Sequence, residues 1–191
     1  MKELIFSIIL LNAVVVTAQE KLINENFNTH NLENVTYLLS QARFGNFIYE
    51  FRHDGALVDS SSLATYFDND GSIFIGQQKK VTDFTIKSYN GDEFSLNSFQ
   101  LSSNHSYPNA DEEVMVRGWR DGKVVTPPVP MEIKLFEPPG QDYDITLYQG
   151  FDKVDEIKIT GNNLQFTLES FTYSLGGPPV AKEKRNKKGK H

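Results

Sequence analysis

Trp119 is the single tryptophan of the chain, and charged side chains lie close to it in the sequence. Arg117, Arg120 and Asp121 are all within two residues of it, beside a predicted Asp-Gly turn. A flat indole can stack on the apolar face of a sugar ring while charged groups bind its hydroxyls. These residues, together with Tyr66 from a separate loop, are therefore candidate ligand-binding residues. A packing role for a tryptophan at a strand end fits the same pattern.

A group of oxygen ligands lies at residues 68–71, which read Asp-Asn-Asp-Gly. Asp68 and Asp70 place two carboxylates around a tight turn, and a hard cation such as Ca²⁺ prefers such ligands. Turns rich in Asp and Asn have the same composition for conformational reasons alone, so both interpretations stay open. Asp142–Asp144 presents the same two alternatives. A structural Ca²⁺ is the cofactor that the sequence suggests.

Signatures of catalysis are scarce in this chain. Its four histidines have no metal-binding spacing, and no G-x-S-x-G, P-loop or H-E-x-x-H motif occurs. The absence of cysteine excludes thiol catalysis and Cys-ligated metals. We therefore predict that the protein is not an enzyme. A polysaccharide-degrading jelly roll stays an alternative, because paired catalytic carboxylates are distant in sequence.

The N-terminal residues predict a secretory signal peptide over residues 1–18. Lys2 precedes the apolar run Leu4–Val16, and Val16-Thr17-Ala18 fits a small-x-small cleavage site. The run is short for a bilayer span, which takes roughly 20 apolar residues. We therefore predict a secreted, extracellular protein without a transmembrane segment.

Charge is unevenly distributed between the predicted domain, residues 19–177, and the predicted tail, residues 178–191. The formal net charge is −6 overall and +5 over residues 181–191, which leaves −11 for residues 19–180. An acidic domain argues against nucleic acid as the principal partner. The basic tail predicts either a disordered, solvated terminus or a contact with a polyanion such as an acidic polysaccharide.

Short strands separated by turn residues fill the rest of the chain, and a weak helical pattern at Asn31–Arg43 fits a strand or turn equally well. The predicted strands are Phe47–Arg52, Ser72–Gly76, Val81–Tyr89, Phe94–Leu101, Glu113–Trp119, Lys123–Thr126, Asp144–Tyr148, Lys153–Ile159 and Leu164–Tyr173. The 14 Phe and 8 Tyr supply a large apolar core without disulfides. This pattern predicts an all-β, two-sheet antiparallel β-sandwich with a jelly-roll-like arrangement.

One nine-residue pattern, F-x-L-x-S-F-x-x-S, occurs twice, at Phe94–Ser102 and at Phe166–Ser174. Side chains alternate between the faces of a strand, so the apolar face changes after the fourth residue of each copy. The change falls at Asn97–Phe99 and at Glu169–Phe171. A β-bulge at each point would return both apolar sets to the core. A strand whose second half is buried on both sides is the alternative.

Three segments carry a resemblance to a known family: the strand–turn–strand Glu113–Val125, the segment Phe151–Ile159 and the closing strand Phe166–Tyr173. Over Val81–Ser174 the chain resembles the galactose-binding-like β-sandwich domains, which include many carbohydrate-binding modules of exported surface proteins. The resemblance implies a non-catalytic role in glycan binding or adhesion. Domains of this class often carry a structural Ca²⁺.

The sequence therefore predicts a secreted, non-catalytic domain that binds an extracellular carbohydrate or a matrix polymer. Two alternatives remain at this point. The first is a structural or adhesive matrix protein tethered by its basic tail, and the second is the polysaccharide-degrading jelly roll.

Overall fold

The computed structural model describes residues 21–27, 40–58, 65–67, 72–76, 80–103, 112–134 and 140–175. The predicted signal peptide and basic tail lie outside these residues. The strands, in chain order, are β1 (Ile23–Asn26), β2 (Gln41–Phe44), β3 (Phe47–His53), β4 (Ala56–Leu57), β5 (Thr65–Phe67), β6 (Ile73–Ile75), β7 (Asp83–Ser88), β8 (Phe94–Ser103), β9 (Glu112–Arg120), β10 (Lys123–Val124), β11 (Val129–Ile133), β12 (Gln141–Asp144), β13 (Glu156–Thr160) and β14 (Phe166–Leu175).

These strands form two antiparallel sheets. Sheet A has the order β12-β8-β14-β6-β5, with β1 also paired to β14. Sheet B has the order β10-β9-β13-β7-β3-β2, with β11 paired to β9 and β4 paired to β3. From β7 to β9, and again from β12 to β14, successive strands cross between the sheets. The predicted all-β, two-sheet antiparallel β-sandwich is confirmed.

Aromatic side chains from both sheets form the core between them. Phe47 of sheet B is 1% exposed and meets three rings of sheet A edge to face. Its centroid lies 5.1 Å from Phe94, 5.1 Å from Phe171 and 4.9 Å from Tyr173. Tyr49 is also buried in this core, and burial raises the pKa of its phenol well above the usual value. Packing of this kind can hold the sheets together without disulfides.

The two copies of the nine-residue pattern pair directly with each other as β8 and β14. Phe99 lies opposite Phe171 at the centre, and the register shifts on each side of this pair. The shifts add one extra residue to each strand, Asn97 in β8 and Glu169 in β14. Both extra residues stand at the fourth position of the pattern. The predicted bulges are therefore confirmed, and both central phenylalanines are buried.

The predicted strand Asp144–Tyr148 is wrong. The strand β12 ends at Asp144, and a turn follows. Oδ1 of Asp144 accepts hydrogen bonds from the backbone amide of Thr146 at 3.0 Å and from its hydroxyl at 2.6 Å. Because an Asp side chain can bond the backbone two residues on, it replaces ladder hydrogen bonds with a turn.

The proline-rich stretch after β10 contains β11, a strand paired only with β9 among the described strands. Pro130 lies within β11 and is exposed. A strand with a single neighbour tolerates proline, because the missing N–H can face away from the ladder. Across the described ranges, no helix is long and apolar enough to cross a membrane.

Candidate functional site

Trp119 lies on the solvent-facing side of sheet B, which we call the outer face. Burial along β9 alternates as the period of a strand requires. The residues that point inward are buried, namely Val114, Val116 and Gly118. The residues that point to the outer face are exposed or partly buried, namely Glu113, Met115, Arg117 and Trp119.

Two neighbouring strands bring charged side chains beside Trp119. Trp119 lies opposite Glu156 of β13, and Glu156 lies opposite Lys87 of β7. Nζ of Lys158 lies 4.6 Å from the centroid of the indole ring, within the range of a cation–π interaction. The carboxylate of Glu156 lies 2.8 Å from Nζ of Lys158 and 4.0 Å from Nζ of Lys87. Two ammonium groups therefore share one carboxylate beside the indole.

Cross-strand partners form rows across the outer face. Arg117 is two residues before Trp119 in β9 and lies in the next row, opposite Lys158. Its side chain is exposed, and within the described residues its guanidinium has no ion pair or hydrogen bond. A guanidinium presents several N–H donors in a rigid fork that matches an oxyanion. Arg117 is therefore available to a ligand that also contacts Trp119.

Arg120 and Asp121 lie apart from this face. Arg120 follows the inward parity of β9, and its Nε lies 3.9 Å from Oε1 of Glu93. Asp121 stands in the turn after β9 with a φ of 51°, and its amide donates to Oδ2 of Asp155 at 2.8 Å. Adjacent residues of a strand point to opposite faces, so Arg120 does not lie at the ring of Trp119, and Asp121 lies in the turn beyond the strand.

The remaining predicted site residues lie elsewhere. Tyr66 is in β5, at the edge of sheet A, whereas Trp119 is in sheet B. Asp68 and Asp70 lie outside the described residues, so the Ca²⁺ site stays a prediction. In the part of the chain that the structure describes, no three His, Cys, Asp or Glu side chains are grouped to hold a metal ion.

The outer face deepens into a cleft at its other end, with a volume of about 880 Å³. Its lining includes Asp83, Glu113, Met115, Pro130, Glu132 and Thr160. Glu113 of β9 and Glu132 of β11 lie directly opposite each other. Nζ of Lys134 is 2.7 Å from Oε1 of Glu132. This cleft was not predictable from the sequence, because cross-strand register assembles it from segments far apart in the chain.

Ion pairs between side chains of opposite charge lie across the outer face between Trp119 and the cleft. Thr85 of β7 lies at its centre, 1% exposed, beside a depression of about 270 Å³. Arg52 donates to Glu50 on one side at 2.8 Å, and the Lys158–Glu156 pair lies on the other. The alternation of polar with apolar residues in β3 was the sequence signal for this polar surface.

Gly118 allows β9 to pack closely beneath Trp119. Its amide donates to Oγ1 of Thr126 at 2.8 Å. A Cβ at this position would lie 2.6 Å from Cγ1 of Val154 and 2.9 Å from Cγ2 of Thr126. We expect Gly118→Ala to lower the free energy of unfolding by about 1–3 kcal/mol through overpacking, as measured by urea denaturation.

Met115→Ala is the matched control, because Met115 is 41% exposed on the outward side of the same strand. Its effect should stay within about 0.5 kcal/mol. If Gly118→Ala is as stable as the wild type, the side chains of Val154 and Thr126 move aside for the added methyl group at no cost. That result would contradict the close packing around Gly118.

The fold and the outer face define an all-β sandwich that presents one partly exposed indole among charged side chains. No protein-family model matches the chain, and no curated protein is significantly similar to it.

Proposed function

We propose that the protein is a secreted, non-catalytic module that binds extracellular carbohydrate through the outer face of sheet B. The observation that carries the proposal is the position of Trp119. Its ring lies on the outer face, partly exposed, with Lys158 over the ring and Arg117 in the next row. The resemblance of residues 81–174 to galactose-binding-like domains belongs to this proposal.

A sugar needs both an apolar surface for its ring face and polar groups for its hydroxyls. Trp119 supplies the first, and the surrounding carboxylate, ammonium and guanidinium groups supply the second. The outer face spans four full neighbouring strands, β9, β13, β7 and β3. At a spacing of roughly 4.8 Å between strands, its width is about 14 Å, which suits an extended polymer better than a single small molecule.

The catalytic alternative has one observation in its favour, the facing pair Glu113 and Glu132 in the cleft. Retaining glycosidases use two carboxyl groups about 5–5.5 Å apart. Both side chains are exposed, however, and the carboxylate of Glu132 is paired with Lys134. A general acid is normally held protonated by burial, which this pair lacks. The geometry therefore supports binding better than hydrolysis.

Trp119→Ala should weaken polysaccharide binding at least tenfold, because a central aromatic side chain typically contributes about 2 kcal/mol or more to an interface. Affinity electrophoresis against a panel of polysaccharides measures the change. Tyr148→Ala is the matched control, because Tyr148 is 40% exposed in the turn after β12. Its binding should equal that of the wild type.

Each other outcome favours a different function. Equal binding by both variants and the wild type would remove Trp119 from the site, and no binding to any polymer would overturn the proposal. Binding that disappears only when residues 181–191 are removed would favour the matrix protein tethered by its tail. Release of reducing sugar that Glu113→Gln abolishes would favour the enzyme.

A further inference from the structure

We infer that the ligand of the outer face is an anionic polysaccharide, bound across the strands along the row of residues from Trp119 to Arg43 and Tyr89. This inference rests on the proposed function and adds the charge of the ligand and its direction on the sheet. Its support comes from the charges beside Trp119, from the row that leads away from it and from the acidic cleft beyond.

The surroundings of Trp119 are locally basic. Arg117, Lys158 and Lys87 face the solvent around it, and Glu156 is the carboxylate that pairs with the two lysines. These four side chains carry a net charge of +2 by their types, in a domain whose residues 19–180 carry −11. A basic area on an acidic domain concentrates anions at that point.

Two carboxylates close to Trp119, Asp121 in the chain and Asp155 on the neighbouring strand segment, lie outside the rows of Trp119 and Arg117. Asp121 is in the turn beyond β9, and Oδ2 of Asp155 accepts the amide of Asp121 at 2.8 Å. Both therefore lie at the end of the strand, while Arg117 and Lys158 lie within the sheet.

The position of Lys158 distinguishes between neutral and anionic sugars. Its ammonium group lies over the indole, 4.6 Å from the ring centroid. A neutral ring that stacks there competes with this cation, whereas a carboxylate or sulfate on the ring gains an ion pair with it. Arg117 adds an exposed guanidinium in the next row, and guanidinium groups bind oxyanions through two parallel N–H bonds.

The row that starts at Trp119 leads to a second aromatic side chain. Cross-strand register takes it from Trp119 through Glu156, Lys87 and Ile48 to Arg43 of β2. The Cζ of Arg43 lies 3.2 Å from the ring centroid of Tyr89, which is 51% exposed. An aromatic ring with a cation over it therefore stands near each end, across roughly 19 Å of sheet.

The cleft at the other end of the outer face disfavours a polyanion that runs parallel to the strands. Its lining holds the carboxylates of Asp54, Asp83, Glu113 and Glu132 and one cation, Lys80, and Lys134 pairs with Glu132. A polyanion that followed the strands from Trp119 would run into these carboxylates. Like charges at short range repel, so the row across the strands is the path that the face permits.

Binding of the full chain to three polymers tests the inference: carrageenan as the sulfated probe, agarose as its neutral counterpart, and polygalacturonate as the carboxylated probe. We expect one or both anionic polymers to bind at least tenfold more tightly than agarose, and the affinity to fall as salt increases. Comparison of carrageenan with polygalacturonate shows whether the face prefers sulfate or carboxylate groups.

Arg117→Gln and Arg43→Gln should each weaken anionic binding about three- to tenfold. Lys134→Gln, which removes the same charge at the acidic end, should leave it unchanged. Both arginines are exposed, so thermal melting should confirm folded variants. Binding unaffected by Arg43→Gln would overturn the path across the strands.

The two levels of proposal fail differently. If agarose binds as tightly as the anionic polymers and Trp119→Ala abolishes that binding, the anionic ligand is overturned and the proposed function stands. If no polysaccharide binds, both are overturned.

Discussion

Deleting Glu169 should straighten β14 and leave the sandwich folded. Glu169 is the extra residue of the bulge, because its neighbours in β14 pair with consecutive residues of β8, Leu101 and Gln100. Its removal restores strict alternation of the side chains, so the buried Phe171 and Tyr173 still point into the core. The expected loss of stability is therefore only that of the hydrogen bonds of the Glu169 side chain, about 1–3 kcal/mol.

The matched control separates the backbone role of Glu169 from its side chain. The carboxylate accepts hydrogen bonds from Ser72 at 3.0 Å and from Ser102 at 3.2 Å. Glu169→Ala removes these bonds and should cost about 1–3 kcal/mol while keeping the residue count. Circular dichroism and urea denaturation measure both variants. A deletion variant that fails to fold would contradict this expectation and show that the core needs the bulge itself.

Phe47→Ala should produce the largest loss of stability among single substitutions at the contact between the sheets. The side chain is 1% exposed and touches three aromatic rings of sheet A. Truncation of a buried Phe costs about 3–5 kcal/mol, and each edge-to-face pair adds about 0.5–1.5 kcal/mol beyond its buried area. The midpoint of urea denaturation should fall accordingly.

Phe47→Leu is the control for cavity volume. It keeps most of the apolar volume and loses the ring contacts, so we expect a loss clearly below that of Phe47→Ala. If Phe47→Ala is as stable as the wild type, the aromatic rings of sheet A fill the cavity that the truncation leaves. Such a result would contradict the joining role of Phe47.

The fold was predictable because its signals are local. The double F-x-L-x-S-F pattern fixed the positions of both bulges through the parity of apolar residues, at Asn97 and Glu169. The alternation of apolar and polar residues in β9 is likewise a local signal, and it matches the shared face of Arg117 and Trp119. The end of β12 was not predictable from alternation, because the side chain of Asp144 competes with the ladder for backbone hydrogen bonds.

The candidate site was predictable only in part. Lys87, Lys158 and Arg43 belong to strands far apart in the chain, and only the register of sheet B brings them into the rows of Trp119 and Arg117. Nearness in sequence selected Arg120 instead, which the strand period turns to the opposite side. A site on one face of a sheet is a property of strand order, which local patterns do not contain.

The pairing of β8 with β14 also constrains how the chain folds during its synthesis. β14 pairs with β8, β6 and β1, so three strands of sheet A depend on residues 166–175. Closing the roughly 70 residues between the two copies of the pattern costs on the order of 4 kcal/mol of chain entropy. A nascent chain therefore cannot complete sheet A until residue 175 has left the ribosome. Sheet A is therefore completed late in folding, and contacts between such distant segments make folding slow.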